Sequence, residues 1–300
     1  MLPPPLLLLV LFPSHSFALS RPRWIPLRRA DASIPKEGYI NPVAAGKSML
    51  TRIPWETYPA GQGEPLNMIV SGNSDADVLV DQEDGGLQTY FTSLNFSGEC
   101  LNQQMGNPMQ ADLADGDGLK NQTAVIRYNY GDPALGTCKE SIQGGNHFRY
   151  WLQDGPTGNT GAVFLATSYE KPLVENHDIV LNGYNLGRDY IVGNISGTVI
   201  PTLNLTTAST YEGSSSYKGY TYHTKVTYVA GMLSNSSIGV NHNESVRIDG
   251  VVNAVDGLVA VLDVQIVERP EKSDDGAISI TLDWTMWTIM TTIVGAFTLL

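Results

Sequence analysis

Residues 220–228 read Tyr-Thr-Tyr-His-Thr-Lys-Val-Thr-Tyr. Tyr220, Tyr222, Thr224, Val226 and Tyr228 alternate with Thr221, His223, Lys225 and Thr227, the period of two expected of a strand with one buried face. β-Branched and aromatic residues dominate the stretch, as pleated surfaces favour. The same texture continues on either side. Upstream, residues 123–130, 147–152 and 161–169 are short, β-rich and bounded by turns; downstream, residues 258–267 form a second long run. From 198 to 269 the pattern is β.

Helical periodicity is confined to fewer places. Leu87, Tyr90, Phe91 and Leu94 are spaced i, i+3, i+4, i+7 behind Gly85-Gly86, and Leu186, Tyr190, Ile191 and Ile195 share one side of a helix over 185–195. The apolar run Asn67-Met-Ile-Val-Ser71 leads into Gly72-Asn73-Ser74-Asp75, whose N-cap chemistry predicts a helix with Asp75 and Asp77 in its first turn. The fold class expected is α+β: a mixed or mostly antiparallel sheet, an early helix, a β-rich C-terminal half and one disulfide. Residues 103–122 read as a loop. Its Asp112, Asp115 and Asp117 among glycines have two readings, a calcium loop without EF-hand spacing or a plain polar turn.

The chain has 300 residues, of which 42% are hydrophobic, enough to bury a sizeable core. Only 16% are charged, against about 25% in ordinary soluble domains. The net charge of −12 argues against nucleic acid as a partner, since phosphate neutralisation needs a basic face. Charge is unevenly spread: residues 21–63 carry a balance of +4 and the remainder −16. That basic, Pro/Gly-rich segment reads as a flexible leader or extended arm. Its Arg28-Arg29 pair has two readings, a dibasic processing site or an uncut linker.

The two ends and the sequons set an expected address. Residues 1–20 read as a signal peptide, with an apolar core over 2–12 and small residues that place cleavage after Ala18 or Ser20; the leading Lys or Arg of the usual pattern is missing. Residues 64–270 form one ectodomain with a possible subdivision near 200, and 271–277 form a stalk. The apolar tail 278–300 ends in 17 uncharged residues from Trp284, at the lower limit of the roughly 17–25 that span a bilayer. Small residues, a spacer and this tail match a GPI signal with attachment at Asp275, Asp274 and Ser273 being close seconds; a membrane span and a buried segment are the other readings. Asn95, Asn121, Asn194, Asn204, Asn235 and Asn243 begin Asn-X-Ser/Thr sequons. Cys100 and Cys138, an even count in an oxidising space, are expected to form a disulfide, two buried thiols being the alternative.

Catalytic signatures are few. The chain has no Gly-X-Ser-X-Gly elbow, His-Glu-X-X-His, P-loop or Cys-X-X-Cys, so no cofactor is implied and no metal site is read from spacing. The residues that could carry chemistry are His147 and Arg149, two apart and so on one strand face, with His177-Asp178 and Arg188-Asp189. Should these segments meet, they could form an anion pocket, a metal site or an acid/base pair; the alternative is a structural network of Arg-Asp pairs. Tyr150, Trp151, Tyr184, Tyr217, Tyr220 and Tyr222 likewise have two readings, a sugar-stacking platform or sheet packing.

Four of these stretches resemble a known domain. Gly144-Gly-Asn-His-Phe-Arg-Tyr-Trp151 is similar to the His-hydrophobic-Arg-hydrophobic-Trp strand of the LssY-type C-terminal domain. His177-Asp-Ile and Gly187-Arg-Asp-Tyr-Ile191 are similar to its His-His-Ile and Glu-Arg-Asp-Tyr segments, and Met68-Ile-Val-Ser-Gly72 to its opening strand. Asn176-His177-Asp178 replaces the family's His-His, and Gly187 its Glu. Residues 66–267 as a whole resemble a group of uncharacterised secreted proteins of mushroom-forming fungi. The resemblance implies a fold neighbourhood and a polar cluster, not a reaction. The function expected is a secreted, N-glycosylated, GPI-anchored fungal surface or wall protein that binds membrane through its anchor and cell-wall glycan as a partner. The alternative is a hydrolase of a phosphate- or lipid-containing substrate, acting through His147, His177 and Arg188.

Overall fold

The computed structural model describes residues 34–53, 62–103, 107–248 and 250–271. The signal peptide, Arg28-Arg29, Asp275 and the apolar tail lie outside them. In chain order the elements are β1 (Met68–Val70), α1 (Leu87–Ser93), β2 (Phe96–Gly98), β3 (Gln110–Asp112), β4 (Leu119–Asn121), β5 (Ala124–Tyr128), α2 (Gly136–Gln143), β6 (Gly145–Leu152), β7 (Val163–Glu170), α3 (Gly183–Ser196), β8 (Thr210–Tyr217), β9 (Tyr220–Val229), β10 (Asn235–Ser236), α4 (Asn243–Val246), β11 (Val255–Asp256) and β12 (Val259–Glu268). Helix and sheet are mixed, with strand predominating.

One sheet organises the body, in the order β2-β5-β6-β7-β1-β12-β9-β8. Every neighbouring pair is antiparallel except β1 with β12. The sheet runs unbroken through strands from both sides of residue 200. The alternation at 220–228 is realised in β9: Tyr222, Thr224, Val226 and Tyr228 are buried while Lys225 and Thr227 are exposed. Tyr217 pairs with Tyr220 across the two-residue Lys218-Gly219 turn, both at positive φ (49° and 79°). That backbone matches the right-handed twist of the flanking strands.

Both faces of the sheet are covered around its centre, while β8, β9 and the end of β12 leave alternate residues exposed. On one side Met68, Phe148, Tyr150, Leu165, Tyr222 and Val226 pack beneath α1 and α3. On the other, Ile69, Trp151, Phe164 and Val261 pack against Leu66, Leu113 and Met232. At seven residues α1 is too short to persist alone. Burial of Leu87, Tyr90 and Phe91 holds it, each contributing about 1.5–3 kcal/mol. Tyr90 Oη also lies 3.0 Å from Thr224 Oγ1. Helix α3 lies close on β7: a Cβ at Gly187 would fall 2.6 Å from Ser168 C and 2.7 Å from its N and Cα. Glycine is therefore required there for contact.

Three expectations need correction. The helix anticipated from Asp75 is a series of turns, and among the described residues the first α-helix begins at Leu87. The side chains meant to cap it serve β12 instead: Val264 N donates to Ser74 Oγ (3.0 Å) and Ile266 N to Asp75 Oδ2 (2.8 Å). Strand β1 stops at Val70, so these amides lack strand partners and the side chains replace them. The loop 103–122 contains the β3–β4 ribbon. Residues 34–53 of the basic segment lie on the body rather than apart from it, with Tyr39 and Met49 buried and Gln153 bonded through its amide to both Ile40 N and Ile40 O.

Cys100 and Cys138 are joined by a disulfide, with a Cα–Cα distance of 4.6 Å. It ties the segment after β2 to α2. Among the described residues no helix is long and apolar enough to cross a membrane.

Candidate functional site

The register of β5, β6 and β7 lines up Arg127, His147 and Ser168 in one cross-strand row. Phe148 and Tyr150 of β6 turn to the core under α1 and α3, so His147 and Arg149 turn to the opposite face with Trp151. There they meet Glu170 at the end of β7, Glu64 from the segment before β1, and Glu140 from α2, which closes over the row.

Arg127 Nη1 donates to Glu140 Oε2 at 2.8 Å and to Glu170 Oε2 at 3.4 Å, while its Nη2 lies 3.8 Å from Glu99. Arg149 Nη1 lies 3.2 Å from both Glu64 oxygens and 3.1 Å from His147 Nε2. His147 Nε2 is 3.5 Å from Glu170 Oε1 and 3.3 Å from Ser168 Oγ. His177, in a left-handed backbone conformation (φ 52°) beyond β7, brings its Nδ1 to 3.4 Å from Glu170 Oε2.

His147 and Glu140 are 0% exposed. Burial pushes both the Glu140 and Glu170 carboxyls up to about 7, against the pull of Arg127. Burial, reinforced by Arg127 and Arg149, pushes the His147 imidazole well below its ordinary value and keeps it neutral. Several polar atoms here are buried without a hydrogen-bond partner: Glu140 Oε1, Arg127 Nε, Arg149 Nε, Asn146 Oδ1 and His177 Nδ1. Native interiors leave few such atoms.

The six candidate residues thus fall into three groups. His147, Arg149 and His177 converge around Glu170. Asp178 turns away to His242 Nδ1 (2.8 Å), Ser245 Oγ (2.8 Å) and Lys171 Nζ (3.3 Å). Arg188 and Asp189 form a separate buried network. Arg188 makes two bonds to Asp189 (2.8 and 3.0 Å), two to Asp256 (2.9 and 2.8 Å) and one to the Leu258 carbonyl (2.8 Å). Tyr228 Oη donates to Asp189 at 2.8 Å. This network joins α3 to β9, β11 and the start of β12, an architectural role. It does not join His147 and His177, contrary to the hydrolase set containing Arg188.

Arg127, Glu140, Glu170 and Glu64 were missing from the sequence-derived set. Strand parity places Arg127 and Glu170 beside His147 only once the register is known. Spacing implied no metal site, yet Glu140, His147 and Glu170 each offer a ligand atom, all within 4.8 Å of one another. Asp115, Asp117 and Asp154 also cluster, but Lys120 Nζ sits among them at 2.7, 3.2 and 2.8 Å, as a polar turn requires.

Among the described residues, surface clefts of about 380–750 Å³ lie elsewhere, lined by residues other than His147, Glu140 and Glu170. Tyr150, Trp151, Tyr184 and Tyr222 are fully buried, while Tyr217 and Tyr220 are half-buried on the β8–β9 hairpin. The aromatic set is therefore sheet packing and not a shared platform. The chain matches no protein-family model, no curated protein and no solved structure.

Proposed function

We propose that this protein is a secreted, N-glycosylated ectodomain held at the outer cell surface or wall by a GPI anchor attached at Asp275. The observation that carries the reading is the distribution of asparagines. Asn95, Asn121, Asn194, Asn204 and Asn235 are exposed and Asn243 is half-buried. The asparagines that the fold buries, Asn67, Asn129, Asn146, Asn182, Asn185 and Asn241, all stand outside sequons. A glycan needs a surface position, and each sequon has one. The disulfide agrees with an oxidising compartment. Treating intact expressing cells with a phosphatidylinositol-specific phospholipase tests the anchor. Release into the medium is expected; retention on the membrane points to a spanning tail. Wall glycan as a partner is tested by binding the released protein to wall polysaccharides, and silence removes that part of the proposal.

A second reading, a hydrolase of a phosphate- or lipid-containing substrate, is favoured by the meeting of His147, Arg149 and His177 around Glu170. It requires α2 to open, because His147 is enclosed. Turnover of a phosphoester probe that His147→Ala abolishes with the unfolding midpoint unchanged supports it; an inert wild-type protein sets it aside.

A further inference from the structure

The geometry points to a buried site for one divalent first-row transition ion, of the Zn²⁺ or Mn²⁺ class, held by Glu140, His147 and Glu170. The site is independent of the surface address proposed above.

Three observations converge on it. The first is placement. One ligand atom from each residue lies within 4.8 Å of the other two. Ligands about 2.1 Å from a tetrahedral ion stand about 3.4 Å apart, so side-chain adjustments of about an ångström close the site. The residues come from α2, β6 and β7, so the fold fixes their backbones independently.

The second is the unpartnered oxygen. Glu140 is completely buried, its Oε2 is taken by Arg127, and its Oε1 has no hydrogen-bond partner. That oxygen lies against Gly145 of β6, two residues before His147: a Cβ there would stand 3.6 Å from it. A buried carboxylate oxygen left bare costs several kcal/mol unless something positive meets it.

The third is charge. Glu64, Glu140 and Glu170 face two guanidinium groups, Arg127 and Arg149, so carboxyl groups outnumber the fixed positive charges and a divalent ion adds the charge that is lacking. Mixed imidazole and carboxylate donors suit Zn²⁺ or Mn²⁺ better than Ca²⁺ or Mg²⁺, which prefer oxygen alone. The acidic turn at Asp115 also brings three ligand atoms together, but Asp117 and Asp154 are exposed and Lys120 Nζ already contacts all three carboxylates.

Arg127 orients Glu140 by holding Oε2, the Ser168 hydroxyl lies 3.4 Å from His147 Nδ1 and 3.3 Å from its Nε2, and Arg149 Nη1 lies 3.1 Å from Nε2. Because His147 and Glu140 are fully buried, the ion enters as the chain folds.

The test is metal analysis of the full-length protein produced in medium supplemented with Zn²⁺ and Mn²⁺ and purified without chelator. The expected result is about one ion per chain, falling at least about tenfold in Glu140→Gln. A second measurement does not depend on that variant folding: the wild-type unfolding midpoint should drop in a strong chelator and return with Zn²⁺ or Mn²⁺ but not with Mg²⁺. Wild-type protein that is metal-free and indifferent to both additions overturns the site and leaves protons as the neutralising species. An ion retained in folded Glu140→Gln also overturns it.

Discussion

Arg127 of β5 and Glu140 of α2 form a buried ion pair at 2.8 Å, and it is the direct polar link between the central sheet and the helix that closes over His147. Arg127→Ala should therefore cost about 3–5 kcal/mol, because it leaves Glu140 and Glu170 buried without their guanidinium. A urea titration measures this as a lowered midpoint. A variant as stable as wild type would mean that the carboxyls are satisfied by something other than Arg127.

Arg188 supplies the contrasting case. Three of its five hydrogen bonds tie α3 to Asp256 and the Leu258 carbonyl, and the other two go to Asp189 within α3. Arg188→Leu should destabilise by about 3–5 kcal/mol, through the stranded Asp189 and Asp256. If the network is architectural, the metal content of the folded fraction stays at the wild-type level. Loss of metal from folded Arg188→Leu would join the two networks that the structure separates.

The disulfide closes a loop of 38 residues by sequence separation. By loop-closure entropy, its replacement in Cys100→Ser/Cys138→Ser should cost about 4 kcal/mol. Since the bond anchors α2, amides of α2 should lose hydrogen-exchange protection before those of β9 and β12. Equal loss across all three elements would contradict a local anchoring role.

Asp178 carries a pH dependence. Burial alone would raise its carboxyl, but hydrogen bonds from Ser245 and Lys171, with His242 beside it, outweigh burial and hold it below its ordinary 3.8. Lys171 and His242 are the charged or titratable groups facing it. With the folded value below the unfolded one, the stabilisation is full above the unfolded value and lost as pH falls through the folded one. Asp178→Asn should flatten the acid limb of the stability–pH curve below about pH 4 while leaving its shape near neutrality. A parallel curve for the two proteins would show that Asp178 titrates alike in both states.

The β architecture was legible because alternation is a local signal: Tyr222, Thr224, Val226 and Tyr228 announce their buried face without reference to any partner. The helix over 185–195 was legible for the same reason, and α3 spans Gly183–Ser196. Ser74 and Asp75 misled because an N-cap and a strand-mimicking acceptor use identical side-chain chemistry. Only the early end of β1 decides between them. The polar cluster was half legible. His147 and Arg149 share a face by strand parity, but their partnership with Arg127 and Glu170 is a matter of register, and with Glu140 of how α2 folds back. Neither is encoded in local spacing. Arg188-Asp189 looked chemical because an adjacent cation and anion in sequence do not reveal that both are sealed between α3 and β9.

The proposed secreted glycoprotein, with its sequons at the surface, is tested by mapping glycan occupancy. Enzymatic release of N-glycans in heavy-oxygen water marks each occupied asparagine for peptide mass spectrometry. Marks are expected at Asn95, Asn121, Asn194, Asn204 and Asn235, with half-buried Asn243 the least occupied. Protein from a secreting host that carries no mark at any of the six would contradict it.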